Sequence, residues 1–98
     1  MSNIQIERQD TDTKGRYVAT IDGIEGEGDL TFSKASDTLI IVDHTGVPDN
    51  MRGKGVADAL AKRVVEDARS AGQKIVPLCP FFSAYIARHK SETADVIN

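Results

Sequence analysis

The sequence predicts a mixed α/β (α+β) fold of about five strands, with antiparallel N-terminal strands followed by a parallel strand-helix-strand unit and a C-terminal helix. Three observations predict it. In the first half of the chain, apolar and polar side chains alternate in short runs broken by Gly and Asp, the period of half-buried strands. From Val56 the apolar residues Val56, Leu60, Val64, Ala68 and Ala71 step by four, four, four and three, the period of a helix with one buried stripe. A second apolar run, Ile75 to Cys79, then returns to strand, and a strand-helix-strand connection is almost always right-handed and parallel.

The elements follow in order. Ile4 to Arg8 alternates Ile4 and Ile6 with polar neighbours and reads as a strand, with the DTDTKG stretch after it as a loop. Tyr17 to Asp22 carries β-favouring side chains and ends in the turn signal Asp22-Gly23. Gly26 and Gly28 punctuate the chain before a third strand, where Leu30 and Phe32 alternate with polar residues. Leu39-Ile40-Ile41-Val42, within Thr38 to Val42, is a continuous apolar run, expected of a central strand covered on both faces. In the helix from Val56, Asp58, Lys62, Glu66 and Ser70 mark the solvent side, Asp58 and Lys62 are spaced to pair, and Gly72 supplies the C-terminal cap. Pro77 cannot donate to a ladder, so its strand belongs at an edge or parts from its neighbour there. Phe81 to His89 reads as a second helix reached through Pro80, and SETADVIN as a frayed or partly helical tail.

Composition narrows the function classes. The 98 residues suit one domain spanning 1–98, with 28% charged and 40% hydrophobic side chains. A net charge of -3 with scattered Lys and Arg argues against a nucleic-acid partner. No apolar stretch approaches the roughly 18 residues of a membrane span, and MSNIQIERQD is not a secretory leader, so a cytoplasmic location without a membrane partner is expected. One cysteine, Cys79, excludes an internal disulfide, and two histidines with one cysteine argue against a structural metal.

The stretch Val47 to Leu60, VPDNMRGKGVADAL, ends an apolar run and opens through a cationic, Gly-rich turn into the helix. Gly53 and Gly55 allow backbone conformations that bring amides close to a ligand. The first N–H groups of the helix have no internal partners and lie at its positive end, which suits an anion. Each dipole contact is worth about 0.3–1 kcal/mol when exposed, so several amides together with Arg52 and Lys54 are needed to hold a pyrophosphate. A solvated helix start is the plain alternative. No Gly-Lys-Ser or Gly-Lys-Thr triplet closes the segment, which excludes a Walker-type loop, and a third glycine for a dinucleotide fingerprint is missing.

Arg52-x-x-Gly55-x-Ala57 resembles the pyrophosphate signature of the GNAT superfamily of N-acetyltransferases. From Asp43 to Lys90 the chain looks like a small single-domain branch of that superfamily, carried by DHTGVPDNMRGKGVADAL and KIVPLCPFFSAYIARHK, with Pro77-Leu78-Cys79-Pro80-Phe81 and Tyr85 the more distinctive part. The first 35 residues match only in pattern. The resemblance implies an acetyl-CoA-dependent N-acetyltransferase. Amides from Gly53 to Asp58, including Val56 and Ala57, would cradle the pyrophosphate. Val42 to Val47, including Thr45, would line the pantetheine and acetyl group where the fourth and fifth strands splay. It also implies that the closing strands of larger members are missing, leaving a cleft that is more open or completed by another subunit.

Acetyl transfer needs a neutral amine, so a base must act on an ammonium of pKa near 10.4, and the CoA thiolate that leaves needs a proton. By the resemblance Tyr85 stands where that proton donor is found; packing on the core is its plain alternative. Cys79 is a possible nucleophile only if its thiol is activated, and otherwise a buried core residue. His44, at the end of the fourth strand, is the base candidate because an imidazole titrates near 6.5. Relatives often carry a glutamate where this chain has Gly46, which shifts the burden to His44 or water. Thr45 orients groups, and His89 reads as a solvated helix end. The expected function is acetyl transfer to an unidentified amine by direct attack in a ternary complex, with a non-catalytic CoA or acyl-CoA binding module as the alternative. Monomer and homodimer are both open.

Overall fold

The computed structural model describes residues 3–98. Five strands form one sheet in sequential order. β1 (Ile4–Asp10), β2 (Lys14–Ile21), β3 (Ile24–Ser36) and β4 (Leu39–Gly46) are antiparallel neighbours. A crossover through α1 (Val56–Ala71) brings β5 (Lys74–Pro77) parallel to β4, and α2 (Pro80–Arg88) and α3 (Lys90–Thr93) follow. This is the predicted mixed α/β architecture.

α1 covers one face of the sheet. Its stripe of Val56, Leu60, Val64 and Ala68 is buried against Tyr17, Leu30, Phe32 and Val42 of the strands. Truncating a side chain such as Leu60, which is fully buried, costs about 2–5 kcal/mol through lost transfer energy and the cavity left behind. A polar clamp fixes the helix over the sheet. The Tyr17 hydroxyl donates to Asp67 Oδ2 at 2.7 Å, and Arg8 and Arg63 reach the same carboxylate at 3.3 and 3.2 Å. Burial and the bond to Asp67 push the Tyr17 hydroxyl far above the ordinary phenol range, so it stays a donor. The opposite face carries a polar row, Gln9, Arg16, Thr31 and His44, set side by side by the register of β1 to β4.

Several local expectations change. β3 runs straight through Gly26 and Gly28, and β2 begins at Lys14, leaving only residues 11–13 of the expected loop outside strands. Gly28 pairs with Ala19 of β2 just before the ladder to β4 begins at Asp29, and Gly26 takes a φ of 103° beside a register shift, a conformation glycine accepts readily. Leu39 to Val42 is not covered on both faces: Ile40 and Val42 are buried while Leu39 and Ile41 are half-exposed, and β4 lies next to the edge rather than at the centre. Ala71 is exposed. Asp58 pairs with Arg88 of α2 at 3.0 Å instead of with Lys62. Of the two readings of the tail, partly helical holds through α3 and frayed does not, because Ile97 pairs with the edge strand at Ile75, Val96 is buried, and Arg69 holds Asp95 in a two-pronged ion pair at 2.7 and 2.9 Å. Pairing by the tail satisfies part of the exposed edge of β5.

Candidate active site

Between β4 and α1 the chain makes a short 3₁₀ turn, Asp49–Met51, and then the RGKG turn. Met51 is fully buried, and the Asn50 side-chain amide donates to the Glu25 carbonyl at 2.8 Å, tying the turn to β3. Gly53 and Gly55 adopt φ of 77° and 81°, a left-handed backbone that disfavours any side chain. Gly55 is the N-cap of α1 and makes no side-chain cap bond, so the first-turn amides have no side-chain acceptor from it. The helix start is set down close to the sheet at Gly28, where a Cβ would stand 2.8 Å from Val56 Cγ1.

β5 pairs with β4 only as far as Val42↔Pro77, while β4 continues to Gly46. Both Leu78 N–H and Cys79 N–H converge on the Val42 carbonyl, at 3.2 and 3.1 Å, at the point where the strands part. Pro77 sits at this splay on an edge strand, as its missing donor requires. A bulge in β4 lies at the same level: Thr31 pairs with His44 and Phe32 with Val42, which leaves Asp43 out of register. Such an insertion re-aims side chains. Asp43 turns to Ser33, whose hydroxyl donates to it at 2.7 Å, and both Asp43 and His44 are exposed on the helix-free face. Thr45, opposite buried Leu30, points back to the helix side.

The turn and the free end of β4 share one cavity of about 370 Å³, walled by Thr45, Val47, Met51, Arg52, Gly53, Gly55, Val56, Ala57, Asp58 and Phe81. The structure therefore brings together Thr45, Val47, Arg52, Gly53, Gly55, Val56, Ala57 and Asp58 of the expected cofactor set. Val42 is buried beneath them and offers its carbonyl to the splay. Lys54 lines a neighbouring depression with Gly55, Asp58, Lys62, Tyr85 and His89. Cys79 is buried, its thiol 3.5 Å from Thr45 Oγ1. Tyr85 packs on Phe82 and stacks on His89 at 4.3 Å, and burial, with the charges of Glu92 and Asp58, pushes its hydroxyl upward. His44 is across the sheet from this group, its Nε2 3.4 Å from where a side chain at Gly46 would begin.

Sequence reasoning missed Met51, Phe81 and the Asp43 bulge. Phe81 carried a signal, an aromatic directly after Pro80 at a strand end, whereas the bulge depends on the register of β3. Asp58 is the acidic group of the cavity wall, and its pairing with Arg88 offsets its repulsion of an anion. Arg52 is held loosely by Asp49 at 3.2 Å, both side chains largely exposed. That pair contributes little to stability and leaves the guanidinium able to turn to a ligand.

Parallel strands that part beside a helix start turned by glycines and without a side-chain cap define an α/β protein with free amides at the positive end of a helix, an arrangement suited to an anion. The particular family is shown by comparison: the GCN5-related N-acetyl-transferase model matches residues 16–96, and the chain belongs to that family of acetyltransferases. A GCN5-like protein from Staphylococcus aureus with proposed N-acetyltransferase activity, solved by NMR in solution, is similar at 31% identity and a TM-score of 0.69, over 100% of this chain and 91% of that one. Among curated proteins none matches this chain. No helix among the described residues is long and apolar enough to cross a membrane.

Proposed function

We propose that residues 1–98 act as one catalytic unit that moves an acetyl group from acetyl-CoA to an amine by direct attack within a ternary complex. The observation that carries this reading is the one cavity shared by the RGKG turn and the free end of β4. Among the described residues, nothing beyond the chain neighbours stands within 4 Å of where side chains at Gly53 and Gly55 would begin, which leaves the turn open for a pyrophosphate on the amides of residues 53–58 with Arg52 beside it. Thr45 and Val47 then line the path of the pantetheine arm toward the splay.

The faces of β4 divide the proton chemistry. His44, on the helix-free side, is the proposed base that takes the ammonium proton, so the new N–C bond forms from that face. Tyr85, on the helix side, is the proposed acid for the sulfur as the C–S bond breaks; its raised hydroxyl keeps a proton at neutral pH and regains it from water. Cys79 positions Thr45 rather than attacking. Its hydrogen-bond partner is a hydroxyl, and no basic side chain among the described residues bonds to it.

Acetyl-CoA at about 100 times its dissociation constant should stabilise the fold by roughly 2.7 kcal/mol, a melting rise of about 10 °C or more. No shift at millimolar ligand would refute the reading. Release of free CoA thiol on adding amines separates this enzyme from a module that binds acyl-CoA without turnover.

A further inference from the structure

A second cavity, of about 580 Å³, opens on the helix-free face between β1 and β4 and contains the charged residues Asp10, Lys14, Arg16 and Asp43. Two of these are already neutralised. Asp10 is bound by Arg8 at 2.8 Å and Lys34 at 2.9 Å. Arg16 is bound by Asp29 at 3.2 Å and Glu27 at 3.6 Å, and donates to Gln9 at 3.3 Å. The other two are not: among the described residues Asp43 accepts only the Ser33 hydroxyl, and the Lys14 ammonium has no partner, only the Lys14 backbone N–H being bound, to Thr11 Oγ1. The hollow thus holds one uncompensated anion and one uncompensated cation.

Their order is fixed by the sheet. Asp43 is on β4 next to His44 and the splay, while Lys14 is on β2, paired with Ser33 of β3, which in turn pairs with Ile41 of β4. Two strand spacings of about 4.8 Å, with the two-residue offset of Asp43 from Ile41 along β4, put their backbones roughly 12 Å apart. We propose that this cavity is the acceptor site and that the acceptor is a zwitterionic primary amine, its ammonium against Asp43 and its anionic group against Lys14. Asp43 draws the cationic end toward His44 and the splay. Lys14 sets the length and charge of the rest of the molecule. This inference rests on the acetyl-transfer reading above.

The test compares 6-aminohexanoate, hexylamine and 1,6-diaminohexane as acceptors with acetyl-CoA. The expected kcat/KM is about tenfold or more higher for 6-aminohexanoate than for hexylamine, the effect of one partly exposed charge-assisted hydrogen bond. Lys14→Glu should move the preference to 1,6-diaminohexane, and Asp43→Asn should raise KM for all three. Both variants should keep the melting shift with acetyl-CoA, which shows that they fold and bind cosubstrate. Equal kcat/KM for the three amines, or an unchanged order in Lys14→Glu, would overturn the inference while leaving acetyl transfer intact. If acetyl-CoA binds but none of the three amines is acetylated, NMR titration with 6-aminohexanoate decides: shifts confined to the amides of Lys14, Thr31, Ser33 and Asp43 support the site, and their absence overturns it. A parent protein without an acetyl-CoA shift overturns the functional reading and this inference with it.

Discussion

Replacing Gly28 with alanine should loosen the start of α1 and, through it, the RGKG turn. A Cβ at Gly28 would stand 2.8 Å from Val56 Cγ1, about 0.6 Å inside the 3.4 Å lower limit of ordinary contact, and 3.4 Å from the Gly46 carbonyl. Val56 has little room to yield. It is fully buried in the first turn of α1, and a β-branched residue in a helix has one strongly preferred rotamer. Either the helix start lifts off β3 or the strand shifts, an overpacking cost of about 1–3 kcal/mol. At about 4–8 °C per kcal/mol for a domain of this size, the melting temperature should fall by roughly 5–20 °C. A double-mutant cycle isolates the contact: Gly28→Ala with Val56→Ala should recover part of the loss, with a coupling of about 0.5–3 kcal/mol. Calorimetry on the four proteins measures it. A Gly28→Ala protein as stable as the parent, or strictly additive losses, would refute the close approach of α1 to β3.

Cys79→Ala should retain turnover within a few-fold and the parent should show no acetylated cysteine by mass spectrometry; loss of activity with intact acetyl-CoA binding would point to covalent transfer instead. His44→Ala should lower kcat/KM by about 10²–10⁴ with acetyl-CoA affinity unchanged, the range of a lost general base, measured by thiol release and calorimetry. Tyr85→Phe should lower kcat more than it changes melting temperature; a merely structural tyrosine would leave kcat near the parent value. Arg8 first, and then Lys34, hold the Asp10 carboxyl below its ordinary 3.8. A depressed folded pKa gives stability that is present above about pH 4 and lost as pH falls toward the folded value. The melting difference between the parent and Asp10→Asn should therefore shrink below pH 4, and a constant gap across an acid series would contradict the ion pairs.

Much of the fold could be read along the chain because its signals are local. The helix stripe from Val56 to Ala68, the Gly72 cap and the positive-φ glycines of the turn depend on neighbours a few residues away, and each stands where the sequence put it. Pro77 announced an edge and a parting of strands because its missing N–H is a property of the residue itself. Gly28 misled because its reason is not local: it is the close approach of Val56, far along the chain, and reads in sequence only as a break. The docked tail and the Tyr17–Asp67 clamp were hidden for the same cause, since each joins residues distant in sequence.

The site divides along that line. By itself the sequence determined a cationic, glycine-rich turn at a helix start, a strand that ends before it, and a second strand that leaves its neighbour at a proline. Only the tertiary structure decided which face each side chain serves. In a strand the side alternates with every residue, so one bulge, set by how β3 pairs with β4, keeps His44 on the helix-free face with Asp43 and returns Thr45 to the helix side beside Cys79. Register is a property of two strands at once.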